Sequence, residues 1–244
     1  MAGLSVREAA QRLDLNPSRV RALLKEGGLT GRRVGSQWVV DDDSVTRRLD
    51  MAASARGRPL SRRSAWGAAA LSDGQATPWL ASSERSRLRT RLAGHAADGV
   101  DVYRWWMRKR ASVARYRIAD ADIAELLADS AVVAGGISAA APYDLGLSFA
   151  DEAEVYVGSS EVGRLVDEFF LVGSGRGNLV LHVEDSGSDW HQRTARVVDG
   201  VSAVPRLVAA VDLLDSDDTR TRSAGTRLLG TLLRLVAGGL GPRD

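Results

Sequence analysis

The chain contains no cysteine, which excludes disulfides and thiolate metal sites. It is also nearly without lysine: of 33 basic residues only Lys25 and Lys109 are lysines. That skew, beside abundant alanine and glycine, reflects GC-rich coding, so arginine number by itself identifies no partner. No run of 18 apolar residues occurs, nor a basic, apolar and then small-residue leader at the N-terminus. Both absences argue for a soluble, cytoplasmic protein with no membrane partner. No Ser/His/Asp set has a recognisable catalytic spacing, and no G-x-G-x-x-G follows a strand. The glycine loop Gly173–Ser174–Gly175–Arg176–Gly177 precedes a strand rather than a helix, the wrong context for a dinucleotide.

What the chain does have is unevenly placed charge. Its 244 residues leave room for one small and one medium domain, each with a core of its own. Residues 1–66 carry 13 Lys/Arg and 7 Asp/Glu, residues 67–117 carry 10 and 4, and residues 118–244 carry 10 and 20. The formal net charge of +2 thus hides a basic front and an acidic back. A polyanion such as DNA suits the front and is repelled by the back.

The first fifty residues read as a winged helix-turn-helix. Ser5 and Glu8 form an S-x-x-E capping box that opens a helix to about Leu13. Asp14–Leu15–Asn16 makes the turn, and Asn16 caps a second helix with Pro17 at its first position. Val20, Leu23 and Leu24 give that helix an apolar stripe, and Gly27–Gly28 stops it. The free face carries Ser18, Arg19, Arg21, Ala22 and Lys25, small and cationic side chains that suit a major groove. Two β-prone runs, Thr30–Val34 and Trp38–Val40, join across Gly35–Ser36 as a hairpin wing. Arg32, Arg33 and Gln37 stand near its tip, within reach of phosphate or minor groove, and Trp38 is expected to pack it onto the helices. Asp41–Asp42–Asp43 then caps a further helix through Val45 and Leu49. The succession L-S-V-R-E-A-A-Q-R-L, N-P-S-R-V-R-A-L-L and G-R-R-V-G-S-Q-W-V-V resembles the excisionase/MerR-type helix-turn-helix, which implies binding of double-stranded DNA.

Residues 52–60 read as a linker, within which Arg56–Gly57–Arg58–Pro59 matches the core of an AT-hook. A plain solvated linker is the alternative, and Arg56 and Arg58 join the candidate DNA contacts. Residues 61–111 read as a basic helical segment. Ser61 caps a helix carrying Trp66 and Leu71, and Ser82 or Ser83 caps another carrying Leu88 and Leu92. Arg85, Arg87, Arg89 and Arg91 spread around that second helix, either as solvated surface or as an extension of the DNA footprint. Tyr103, Trp105, Trp106 and Met107 lie among Arg104, Arg108, Lys109 and Arg110. They could stack bases, but at helical spacing they more simply cover a core while the cations reach water.

From residue 112 the periodicities alternate. Val113–Ile118, Ala131–Ala134, Glu154–Val157 and Leu179–Val183 read as strands. Ala121–Ala128, Glu161–Phe170, Pro205–Leu214 and Asp217–Val236 read as helices, the last capped by Asp217. This predicts an acidic C-terminal α/β domain over 112–244 with a small sheet, and an α+β chain with the winged module over 1–51. Gly135–Gly136–Ile137–Ser138 followed by Glu152-x-Glu154 is a loose match to the phosphate turn and paired metal-binding acids of a nucleotidyltransferase. His182, Glu184, Asp185, Asp189 and His191 cluster in sequence, but histidines nine apart across a Gly/Ser-rich tip are more simply edge and loop residues. No catalytic residue, metal or cofactor is assigned.

Taken with G-R-P-L-S-R-R-S-A-W (57–66), P-W-L-A-S-S-E-R-S-R-L-R-T-R-L (78–92), V-V-A-G-G-I-S-A-A-A-P-Y-D-L-G-L (132–147) and V-P-R-L-V-A-A-V-D-L-L-D-S-D-D-T-R (204–220), the whole chain resembles actinobacterial regulators similar to the AbiEi-type antitoxins of type IV toxin–antitoxin systems. The resemblance implies a repressor of its own promoter or operator whose C-terminal domain neutralises a nucleotidyltransferase toxin. Helix-turn-helix proteins commonly pair half-sites about one helical turn apart, which calls for a homo-oligomer or cooperative monomers on DNA. Two alternatives stay open: a stand-alone regulator whose C-terminal domain senses a ligand or oligomerises, and a DNA-tethered nucleotidyltransferase.

Overall fold

The Ser5–Glu8 spacing closes into a reciprocal cap. The Ser5 N–H donates to the Glu8 carboxylate at 2.7 Å, and the Glu8 N–H to the Ser5 hydroxyl at 3.2 Å. Helix α1 (Val6–Leu13) follows. Asn16 Oδ1 accepts from the Arg19 N–H at 2.7 Å and starts α2 (Pro17–Lys25), with Pro17 in the first turn. The computed structural model describes residues 3–13, 15–46, 48–49, 58–95, 100–147 and 151–237. Asp14, Arg56 and linker residues 52–57 therefore lie outside the described residues.

Strands β2 (Gly31–Val34) and β3 (Gln37–Asp41) pair antiparallel across Gly35–Ser36, with Gly35 at φ 61°. The sequence did not indicate β1 (Gly3–Ser5), which pairs with β3 on its other side to give a sheet of order β1-β3-β2. Helix α3 occupies residues 42–46 and 48–49. Ala9, Ala10, Val20, Leu23, Leu24, Leu29, Val40 and Val45 form the core, with Trp38 partly buried against it. The apolar stripe of α2 and the hairpin tryptophan thus do what their spacing predicts. These elements make one compact unit, Met1–Arg58.

The second unit, Pro59–Asp244, is a mixed α+β body. Three helices open it: α4 (Arg62–Ser72), α5 (Ser82–Gly94) and α6 (Val100–Met107). Then come β4 (Ser112–Arg117), α7 (Ile123–Ala128), β5 (Val133–Ala134), β6 (Ala153–Gly158), α8 (Val162–Glu168), β7 (Val172–Gly173) and β8 (Leu179–Glu184). It closes with α9 (Trp190–Arg193), the hairpin β9 (Arg196–Val198) and β10 (Val201–Ala203), α10 (Arg206–Leu214) and α11 (Thr219–Ala237). The strands form one sheet of order β7-β4-β8-β6-β5-β10-β9, larger than the small sheet expected. At its centre β6 and β8 run parallel, flanked by antiparallel β4 and β5.

Helices cover both faces of the central strands because β6 alternates two apolar faces. Ala153, Val155 and Val157 pack with Leu126, Leu165, Leu179 and Leu181 on one side, whereas Tyr156 packs with Trp66, Trp106 and Leu207 on the other. That second core also holds Leu88, Tyr103 and Met107 together with Val211 and Leu229. Residues 61–111, which the sequence sets apart, therefore share a core with residues up to 233, and Tyr103, Trp106 and Met107 are buried in it.

Two caps differ from expectation. Helix α5 is closed by Glu84, whose carboxylate accepts the Ala81 N–H at 2.8 Å, rather than by Ser82 or Ser83. Helix α11 is capped by Asp218, which accepts from the Thr221 N–H at 2.6 Å, rather than by Asp217. In both, the side chain that reaches a free N–H of the first turn decides the start. No helix among the described residues is long and apolar enough to cross a membrane.

The contact of α10 with α11 is tight at Gly225, where an added Cβ would lie 2.8 Å from the Ala210 carbonyl and 2.9 Å from Leu213 Cβ. Gly225→Ala is expected to destabilise by about 1–3 kcal/mol through overpacking. At Gly230 an added Cβ meets only the end of the Arg234 side chain, at 3.6 Å, and Gly230→Ala should stabilise by about 1 kcal/mol through helix propensity. Urea unfolding of the two variants checks the opposite signs.

Candidate functional site

In the N-terminal unit, Ser18, Arg19, Arg21 and Lys25 are exposed on α2, and Arg32, Arg33 and Gln37 are exposed on the hairpin. The stripe that buries Val20, Leu23 and Leu24 turns these α2 side chains outward. Arg19 lies 3.7 Å from Glu26. Arg21, Lys25, Arg32 and Arg33 make no ion pair among the described residues. Cross-strand partners share a face, so Arg33 stands beside Trp38, while Arg32 stands with Val39 and Gln37 on the other face. Arg32 and Arg33 therefore straddle the hairpin. Arg58 is exposed at a bend, and Arg56 lies outside the described residues. Residues 1–58 hold 11 Lys/Arg and 7 Asp/Glu, so the unit is itself cationic.

The basic middle segment spends much of its charge inside its own unit. Arg62 pairs with Asp185, Arg104 with Asp215 at 2.8 Å, and Arg63 with Glu84 at 2.7 Å. The Arg63 hydrogen bond, helped by the Ala81 N–H, holds the Glu84 carboxyl down at about 2. Arg91 and Arg108 lie over the rings of Trp106 and Trp105, at 4.2 and 4.4 Å. Arg85 and Arg87 donate to the carbonyls of Leu80 and Ser83. Arg85, Arg87 and Arg91, which the sequence offered as an extended DNA footprint, thus have intramolecular partners, while Arg62 and Arg104 pair with acids of the C-terminal half.

A buried polar network lies under this segment, on the sheet face that β6 and β8 share. Arg110 and Asp212 are an ion pair with both side chains almost wholly buried. Arg110 Nε donates to Asp212 Oδ1 at 3.0 Å and to Tyr156 Oη at 2.7 Å, and Tyr156 donates to Asp212 Oδ1 at 2.9 Å. The Gly136 N–H donates to Asp212 Oδ2 at 3.2 Å. Alternation along β6 sets Glu154 beside Tyr156, and His182 of β8 stacks on Tyr156 with ring centroids 4.4 Å apart. His182 Nε2 lies 2.7 Å from Glu154 Oε1, and the Ile137 N–H donates to Glu154 Oε2 at 3.4 Å. Burial pushes the Asp212 carboxyl up from its ordinary range, against the pull of Arg110.

Ligand atoms of Glu154, His182 and Asp212 lie within 4.8 Å of one another, so these three could hold a metal ion. All four carboxylate oxygens already accept a hydrogen bond, however, and Arg110 supplies a counter-charge. The Gly135–Gly136 turn is pressed against the same acid: a Cβ on Gly136, at φ 37°, would fall 1.7 Å from Glu154 Oε2. The Gly136 and Ile137 amides are thus engaged by the carboxylates of Asp212 and Glu154, and the Gly135 N–H by the Glu154 carbonyl, rather than left open to a phosphate. Glu152 is exposed ahead of β6 and does not join Glu154.

The histidine cluster of the sequence divides. His182 belongs to the network, Asp185 pairs with Arg62, and Asp189 pairs with Arg193. Glu184 is fully buried and accepts from the Trp190 N–H at 2.9 Å, with His191 Nδ1 at 3.1 Å. Both histidines are buried rather than edge and loop residues. Among the described residues, Glu184 Oε1, His191 Nε2, Gln75 Oε1, Thr77 Oγ1 and Trp79 Nε1 are buried without a hydrogen-bond partner. Gln75 Nε2 bonds the Thr194 carbonyl at 3.0 Å and Trp79 packs on Trp190, so the segments bearing these atoms lie together.

Sequence reasoning sent Arg110 to water, whereas it is buried, and passed over Asp212. The available signal was a single aspartate inside the otherwise apolar helix L-V-A-A-V-D-L-L, where an unpaired carboxylate is untenable. Comparison of the chain with protein-family models, curated proteins and solved structures finds no match.

Arg110→Met leaves Asp212 buried without its cation and is expected to cost about 3–5 kcal/mol. Without Arg110 the upward push of burial loses its largest opposing influence, so the folded state binds a proton that the unfolded state releases. The contribution of that proton is present at low pH and fades as pH rises through the raised value. The penalty in this variant should therefore grow from the carboxylate range towards neutrality, which urea titrations at several pH values will read. A penalty independent of pH would contradict this assignment.

Proposed function

We propose that residues 1–58 are a winged helix-turn-helix that binds double-stranded DNA, and that the chain is a sequence-specific transcriptional repressor acting on its own promoter. One observation carries the reading: a capped α2 presents Arg21 and Lys25, and the adjoining hairpin presents Arg32 and Arg33, all exposed and none engaged in an ion pair among the described residues. Cations held by a rigid scaffold and left without carboxylate partners suit phosphates and guanine edges. On this reading α2 enters the major groove, with Ser18, Arg19, Arg21 and Lys25 facing bases, while Arg32, Arg33 and Gln37 reach the backbone or minor groove. The resemblance to AbiEi-type antitoxins supports a nucleotidyltransferase toxin as protein partner of the C-terminal unit, and a non-enzymatic role for the chain itself.

A stand-alone regulator with a ligand-sensing C-terminal unit is the second reading. It is supported by the unpartnered buried atoms of Gln75, Thr77, Trp79, Glu184 and His191. The gene next to this one separates the two, since a nucleotidyltransferase-like toxin there favours the antitoxin. The nucleotidyltransferase reading has weaker support, because Glu152 is exposed and is not among the residues whose ligand atoms gather with Glu154.

The DNA reading is tested by fluorescence anisotropy with a duplex from the region upstream of the gene. Arg21→Ala should cost about 1–3 kcal/mol and relax preference at one base pair. Arg33→Ala should weaken all sequences alike and reduce the slope of log K against log salt by about 1. Unchanged affinity in the double variant would end the assignment.

A further inference from the structure

At one edge of the large sheet, apolar side chains stand in solvent. Phe170 is 82% exposed, Val172 64% and Val113 57%. The register places Val172 opposite Arg117, and alternation puts Val113, Arg115 and Arg117 on that same face, which no helix covers.

Phe170 is costly in two ways. It is the left-handed residue of a Schellman turn closing α8, with φ 49° and the Leu171 N–H bonded to the Val166 carbonyl at 3.0 Å. Glycine takes that position without strain; phenylalanine does not. Its ring gains almost nothing from its own chain in return. The charges beside it come in two signs: Asp167 and Glu168 are exposed just before it, and Arg115 and Arg117 are exposed along the strand and make no ion pair among the described residues.

We propose that this edge is a self-association surface, and that its occupant is the same edge of a second copy. A two-fold contact uses one patch twice, so the patch must complement itself. Here the two Phe170 rings are buried beside the axis, and the acidic end next to Phe170 in one copy meets Arg115 and Arg117 of the other. The dimer joins two copies through residues 59–244 without DNA, and so stands apart from the DNA reading.

Sedimentation equilibrium of the full chain without DNA tests it. The wild type dimerises, and Phe170→Gly weakens dimerisation by about tenfold or more, the effect expected of a central aromatic anchor. At a concentration where both are monomeric, Phe170→Gly melts at the same or a higher temperature, because strain is relieved. Arg117→Glu also weakens the dimer, and adding Asp167→Arg restores it. A monomeric wild type would overturn the proposal and leave another protein as the occupant. A Phe170→Gly chain that stays dimeric, or melts lower, or a charge swap without rescue, would equally overturn it.

Discussion

The guanidinium of Arg110 and the carboxylate of Asp212 are charges that an apolar interior tolerates only together. The energy to strip each of water is recovered through geometry: Asp212 accepts from Arg110, Tyr156 and the Gly136 amide, and Tyr156 is fixed by Trp66 and His182 on its two sides. Because Arg110 follows α6 and Asp212 lies within α10, the pair fastens the basic middle of the chain to its acidic end. The shared core of Trp66, Tyr103, Trp106, Leu207 and Val211 closes around that fastening.

That constraint decides where cations remain free. In sequence, basic and acidic residues are separated by half a chain. In the folded unit 59–244 they meet, as Arg62 does Asp185 and Arg104 does Asp215. Neutralised arginines attract a polyanion weakly. The N-terminal unit has fewer carboxylates to offer its arginines, and its α2 and hairpin keep theirs exposed. The DNA-binding proposal thus rests on which cations the fold leaves without partners rather than on how many there are.

Local features were legible in the sequence. The Ser5–Glu8 box, the Asn16–Pro17 start, the stripe Val20–Leu23–Leu24 and the packing of Trp38 each depend on residues a few positions apart, or on one hairpin. One local signal was overlooked: V-V-D-G-V-S encodes the β9–β10 hairpin, with Asp199 and Gly200 both at positive φ. The network was not legible, because Arg110 and Asp212 are 102 residues apart and Tyr156 lies between them in sequence. The strand order that brings Glu154 to His182 has no local code either. Polar residues on one face of two buried strands were visible in E-V-Y-V and L-H-V-E, but their partners were not.

The central claim is that DNA contact belongs to residues 1–58, because the fold of residues 59–244 engages so many of its own cations. Hydrogen–deuterium exchange on the full chain, with and without a bound upstream duplex, tests it most directly. The account predicts new protection over residues 17–25 and 31–41, with α5 and α6 unchanged. Protection gained along α5 and α6, with residues 17–41 unaffected, would contradict it.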